Sequence, residues 1–291
     1  MRDIPKGVAG AAVLGGGARA LSWSDDGTLR LWDLASGRTL QSLEGHRGSV
    51  PGAAVLGGGG RALSWSLDGT LRLWDLRSGR ALQSFEGHTG QVQGAAVLDG
   101  SARALSWSRD KTLRLWDLAS GRALQSLKGH AGSVRGATVL GGGARALSWS
   151  DDGTLRLWDL VSGRALLSLK GHKLWVEGAA VLGGGARALS WSWDGTLRLW
   201  NLASGRALQT LEGHTGGVEG AVVLDGGAQA LSWSRDWSVI LWDLATGKAS
   251  ARFIAEADIT VALAARSNLF VAGAANGAVH ILELREGDQP R

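Results

Sequence analysis

The chain has 291 residues, 44% hydrophobic and 20% charged, with 31 basic and 26 acidic side chains and a formal net charge of +5. That balance supports a sizeable core and excludes wholesale disorder, and the charge is too small and too evenly spread to signal nucleic acid. With no cysteine there is no disulfide, thiolate metal site or catalytic thiol, and no apolar run is long enough for a transmembrane helix.

The first ten residues, MRDIPKGVAG, lack the apolar stretch of a signal peptide. With the missing cysteines this sets the expectation of a cytoplasmic protein. From Val8 to Asp243 six copies of one frame follow, nearly identical. The histidines of the Gly-His pairs, His46, His88, His130, His172 and His214, recur every 42 residues, and so do Trp32, Trp74, Trp116, Trp158, Trp200 and Trp242. Within a copy the period is two. Val50–Leu56 reads as a strand and Gly57–Gly60 as a turn; Arg61–Ser66 reads as a second strand closed by Asp68-Gly69. Thr70–Leu76 is a third strand, closed by Ser78-Gly79, and Arg80–Glu86 a fourth, leading to Gly87-His88. Four short strands bounded by Gly, Asp or Ser predict a small antiparallel sheet, and no segment keeps a helical period. The tail from Ile259 to Leu284 holds three strand-like runs, ITVALA, LFVAGA and AVHILEL.

A period near 42, four strands and recurring GH and WD pairs resemble the WD-repeat β-propeller family over essentially the whole chain. The resemblance implies an all-β fold, a seven-bladed β-propeller of four-stranded antiparallel blades whose seventh is degenerate; six blades and a stray tail is the alternative. Blades are expected near 8–46, 50–88, 92–130, 134–172, 176–214, 218–256 and 259–291 of a single domain, with residues 1–5 a candidate to complete the last. Family propellers usually close by having one terminus supply the outer strand of the last blade. Residues 1–3 and 288–291 are both short for that task, so either the chain is excised from a longer multidomain protein or the seventh blade is incomplete; a monomer is expected.

The same resemblance assigns a hydrogen-bonded tetrad to each blade: a His, a second-strand Ser, a turn Asp and the third-strand Trp. The matching sets are His46, Ser64, Asp68 and Trp74; His88, Ser106, Asp110 and Trp116; His130, Ser148, Asp152 and Trp158; His172, Ser190, Asp194 and Trp200; and His214, Ser232, Asp236 and Trp242. Ser, His and Asp are also the residue types of a hydrolase triad. Five such triads in one chain are implausible, and a structural role is expected, with no catalytic residue. Blade one departs, with Ile4 in the histidine slot. The glycine turns lack the Lys-Ser or Lys-Thr of a phosphate loop, and no metal-ligand spacing occurs outside the tetrads, so neither metal nor cofactor is expected.

Twelve of the 15 tryptophans sit at two frame positions: the WD position, and the LSWS position of Trp23, Trp65, Trp107, Trp149, Trp191 and Trp233. Both series are expected in the core. Trp175, Trp193 and Trp237 break the frame, at positions where other copies carry Ser, Gln, Asp, Arg or Gly, and such tolerance predicts exposure. Variation between copies also concentrates at Arg109, Lys111, Arg135, Glu177, Glu219 and Arg235. One diversified face on a uniform scaffold predicts a non-enzymatic module that binds a protein or peptide. Its surface is formed by the fourth-to-first and second-to-third strand connections, with Trp175, Glu177, Trp193, Glu219, Arg235, Trp237, Arg135 and Arg109 as candidate contacts. Two alternatives stay open: polyanion or nucleic-acid binding through the basic residues of that face, which Glu177 and Glu219 disfavour, and an amplified or designed repeat scaffold with no specific ligand. No membrane partner is expected.

Overall fold

The computed structural model describes residues 7–266 and 269–283. Among them are six four-stranded sheets and one three-stranded sheet, each with its strands in chain order. The second sheet is Gly52–Leu56, Arg61–Trp65, Leu71–Asp75 and Ala81–Phe85, all antiparallel. The three-stranded sheet is Ile259–Arg266, Leu269–Ala274 and Val279–Glu283. This all-β set is that of a seven-bladed β-propeller with a degenerate seventh blade. The expected completion of that blade by residues 1–5 or 288–291 lies outside the described residues, as does Ile4.

The chain divides into two compact units, residues 1–147 with 158–165, and residues 148–157 with 166–291. In the first unit, successive sheets bury one face each. Leu63, Leu71, Leu73 and Phe85 of the second sheet pack on Ala104, Trp116 and Leu118 of the third. In the second unit Leu189, Leu197, Leu199 and Leu211 meet Ala230, Ile240 and Trp242 in the same way. Alternation along each strand produces this: Leu71 and Leu73 face one neighbour, Trp74 the other. Outer strands are tied laterally, with Gln83 Nε2 donating to the Ala119 carbonyl at 3.2 Å and Gln209 to that of Ala245 at 2.9 Å.

The two tryptophan series differ in burial. Trp74, Trp116, Trp158, Trp200 and Trp242 are 1% exposed. Trp32 and all six LSWS tryptophans are half-buried, and Trp23, Trp65, Trp107, Trp191 and Trp233 pack against the core clusters, so that series lines the edge of the core rather than its interior. The reason lies on the adjacent strand. Trp65 pairs with Gly52, Trp107 with Gly94, Trp191 with Gly178 and Trp233 with Gly220. A Cβ on those glycines would stand 2.1, 2.3, 2.2 and 2.0 Å from the indole, so each ring lies flat across a bare backbone. One face of the ring is covered by the chain at that glycine.

Candidate functional site

The tetrads come first because they share their residue types with an active site. In four sets the complete geometry is defined. His88 Nδ1 lies 2.7 Å from Asp110, His88 Nε2 lies 2.8 Å from Ser106 Oγ, and Trp116 Nε1 donates to Ser106 Oγ at 2.8 Å. The sets of His46, His172 and His214 repeat this within a few tenths of an ångström. In the remaining set His130, Ser148 and Trp158 are buried and the two rings are 6.2 Å apart, as elsewhere.

A carboxylate only accepts, so each Nδ1 carries the proton it donates to Asp, and Nε2 accepts from the serine hydroxyl. The serine oxygen in turn accepts from the indole. Every polar atom of the chain is thereby paired with a neutral imidazole. Burial draws the His214 pKa below its ordinary value, partly opposed by Asp236. Burial alone would raise the Asp236 carboxyl; hydrogen bonds from Ser238 and from the Thr215 and Ser238 amides, with the His214 contact, outweigh it and bring it down to about 2. The carboxyls of Asp68, Asp110 and Asp194 are lowered in the same way, against their burial. Ser64, Ser106, Ser190 and Ser232 are 0% exposed, and the flanking imidazoles are sealed with them.

Two of the three tryptophans that break the frame, Trp175 and Trp193, come together in a different arrangement within the second unit; the contacts that define it do not include Trp237. Trp175 lies in the connection before the strand Val176–Leu182, and Trp193 in the turn between Arg187–Ser192 and Leu197–Asn201. Their rings are 5.4 Å apart and tilted by 51°. The Arg235 guanidinium carbon sits 4.2 Å from the centroid of the Trp193 ring. Arg235 Nε donates to Glu219 at 2.6 Å, and Trp193 Nε1 donates to Glu177 Oε2 at 3.0 Å. The backbone fixes this row: the Trp193 amide donates to the Trp175 carbonyl at 3.0 Å, and the Arg235 amide to that of Gly217 at 3.1 Å. Gly217 occupies the position of Trp175 one repeat later, and a Cβ there would be 3.3 Å from the Trp193 ring.

Trp175 is 44% exposed, Trp237 48%, and Trp193 is half-buried. The exposure expected for Trp193 is therefore only partial: Trp175, Arg235, Gly217 and Glu177 surround it. Trp237 takes φ +64° at a position where Gly27, Gly69, Gly153 and Gly195 take +75° to +87°. A left-handed backbone costs a large side chain about 1–2 kcal/mol. Glu177 and Glu219 are half-buried on the first strands Val176–Leu182 and Val218–Leu224 rather than in connections, and Arg135 is half-buried on Val134–Leu140. Arg109 is exposed in the turn after Ser108. Arg109 and Arg135 belong to the first unit. Sequence reasoning missed that Trp149 Nε1 donates to the Glu177 carbonyl at 3.1 Å. It also missed the pairing within the row; the lone glycine at position 217 was the available signal.

The model of the WD domain, G-beta repeat, matches residues 37–75, 79–117, 121–159 and 163–201, more than half of the chain. The chain belongs to the WD-repeat family. WD repeats generally act as non-enzymatic scaffolds that mediate protein interactions. Among solved structures, the chain is similar to the computationally designed protein Ika8 at 26% identity and a TM-score of 0.79, covering 95% of this chain and 83% of that one. A comparison with curated proteins finds no match. Among the described residues, no group of His, Asp or Glu could hold a metal, and no helix is long and apolar enough to cross a membrane.

Proposed function

We propose that this WD-repeat chain is a non-enzymatic binding module whose contact surface for a protein or peptide is built around Trp175, Trp193 and Trp237. The observation that carries this reading is the row Glu177–Trp193–Arg235–Glu219, with Trp175 tilted against it. Its charged groups are already paired and its indoles already oriented, so little side-chain freedom remains to be lost on binding. Exposed tryptophan beside arginine is also the composition that dominates interface energetics. The strained Trp237 backbone supports the same reading, because such cost tends to persist at functional positions.

Catalysis by the tetrads is disfavoured by access. The serine oxygen is sealed from solvent, and one of its lone pairs accepts from an indole N–H. A polyanion reading is weakened at Arg235, whose guanidinium is held between Glu219 and Trp193. The amplified-scaffold alternative draws on the near-identity of the repeats and on the likeness to a designed protein.

The test is capture of partners by the full chain and by a Trp175→Ala, Trp193→Ala, Trp237→Ala variant, each checked for folding by circular dichroism. We expect the wild type to retain a defined set of proteins and the folded variant to lose it. Equal capture by both refutes the site. Capture of oligonucleotides that weakens steeply with salt would transfer the function to the basic residues.

A further inference from the structure

The seventh sheet keeps the strand register of the others but not their tetrad. Phe270 pairs with Leu282 and Ala272 with His280, where the third sheet pairs Ala104 with Trp116 and Ser106 with Arg114. Leucine thus replaces the indole and alanine the serine, and no histidine lies between His214 and His280. By the same register Asn276-Gly277, in the turn that follows, stands where the third sheet has Asp110-Lys111. Asp110 is clamped there by the His88 ring and the Thr89 amide. Asn276 has neither partner among the described residues. It is exposed, and the bond described for its side chain runs from the Ala278 amide to Oδ1 at 3.0 Å. Gly277 takes φ +88°, and a Cβ there would meet no atom within 4 Å.

We propose that Asn276 is a site of spontaneous modification, at which the Gly277 nitrogen displaces the side-chain amide as ammonia. The bond from Gly277 N to Cγ forms and the Cγ–Nδ2 bond breaks. The Gly277 amide proton leaves with Nδ2 as ammonia, and a succinimide closes. Water then opens that ring at Cγ to give aspartate, or at the backbone carbonyl to give isoaspartate. Three features of the turn favour the step. The Ala278 amide donates to Oδ1, where negative charge develops as the nitrogen adds. The ring closed by that hydrogen bond contains the Gly277 nitrogen, so nucleophile and carbonyl are held near one another. Glycine leaves the attacking nitrogen uncrowded. One bond opposes it: the Gly277 amide donates to the Ala274 carbonyl at 2.9 Å and must release it to react. The aspartate product keeps the Ala278 bond in charge-assisted form. Isoaspartate inserts Cβ into the backbone between the paired Gly273 and Val279 and lengthens the turn.

The full chain, folded and in urea, is incubated at mildly alkaline pH, and its tryptic peptides are followed by mass spectrometry. Fragment ions separate Asn276 from Asn268, which shares its peptide. The expected result in the folded chain is loss of the amide at Asn276, faster as pH rises, with both acid products present. Asn201 is the internal control: it precedes leucine, accepts from the Ala203 and Ser204 amides, and should be retained. Gly277→Lys copies the third sheet, where Lys111 takes φ +72°, so the turn accepts the side chain. That variant should keep its amide over the period in which the wild type loses it. Conversion of Asn276 in urea but not in the folded chain overturns the proposal. So does equal loss at Asn201, or undiminished loss in folded Gly277→Lys.

Discussion

Replacing Ser106 by alanine removes one hydroxyl and strands two partners. Trp116 Nε1 and His88 Nε2 each lie 2.8 Å from Ser106 Oγ, in side chains that are 1% and 0% exposed. Neither can turn to water. An orphaned buried polar group costs about 1–3 kcal/mol, so the pair predicts a loss of about 2–6 kcal/mol. The first sheet supplies the control. Ser22 accepts from Trp32 Nε1 at 2.8 Å, but that indole is half-buried and the sequence has isoleucine in the histidine slot. Ser22→Ala should therefore cost about 1 kcal/mol or less. Urea titrations of the three proteins read the difference as shifts of midpoint at constant slope. Equal shifts for Ser106→Ala and Ser22→Ala would refute the claim that the tetrad stabilises by satisfying buried atoms.

Three further outcomes follow from the geometry. Gly52→Ala places a Cβ 2.1 Å from the Trp65 ring and should destabilise by about 1–3 kcal/mol, whereas adding Trp65→Leu should recover most of the loss in the same titration. Trp237→Gly relieves a left-handed backbone at a cost in chain entropy, for a net stabilisation of about 0.5–1 kcal/mol, visible as a raised melting temperature alongside weaker partner capture. Acid should destabilise the fold in two stages. The folded state holds the His214 pKa below the ordinary 6.5, so the unfolded chain takes up a proton first and stability falls as pH drops through about 6.5. Asp236 adds stability that is present above 3.8 and lost as pH falls toward about 2. Melting temperatures of wild type and His214→Asn between pH 7 and 5 should converge on acidification, and parallel curves would reject the assignment.

Much of the fold was legible because period and register are carried by residue type. The spacing of His46, Ser64, Asp68 and Trp74 puts four polar groups on one side of a strand pair, and the hydrogen bonds follow. The half-burial of Trp65 was not legible, since it depends on a ring lying over Gly52 across two strands. Position 52 could have been read as an ordinary strand glycine. At the candidate site the residue types stood out by breaking the frame. Their pairing did not, because Trp193 reaches Glu177 and Arg235 through rotamers that no repeat comparison fixes. The seventh sheet was visible as three runs, but the exchange of Ala for Phe270 and of Trp for Leu282 becomes meaningful only when register sets the two side by side.

Near-identical seams also bear on how the chain finds its arrangement. A sheet displaced by one repeat would meet the same leucines and the same indole, and bury nearly the same apolar area. Composition of the seams therefore says little about which neighbour is correct, and short connections must keep consecutive sheets together. Trp193 against Gly217, and Phe270 with Leu282, are among the few addresses written into the side chains themselves. Erasing them to match the repeat should leave each sheet as stable as before and make misassembly during refolding more frequent.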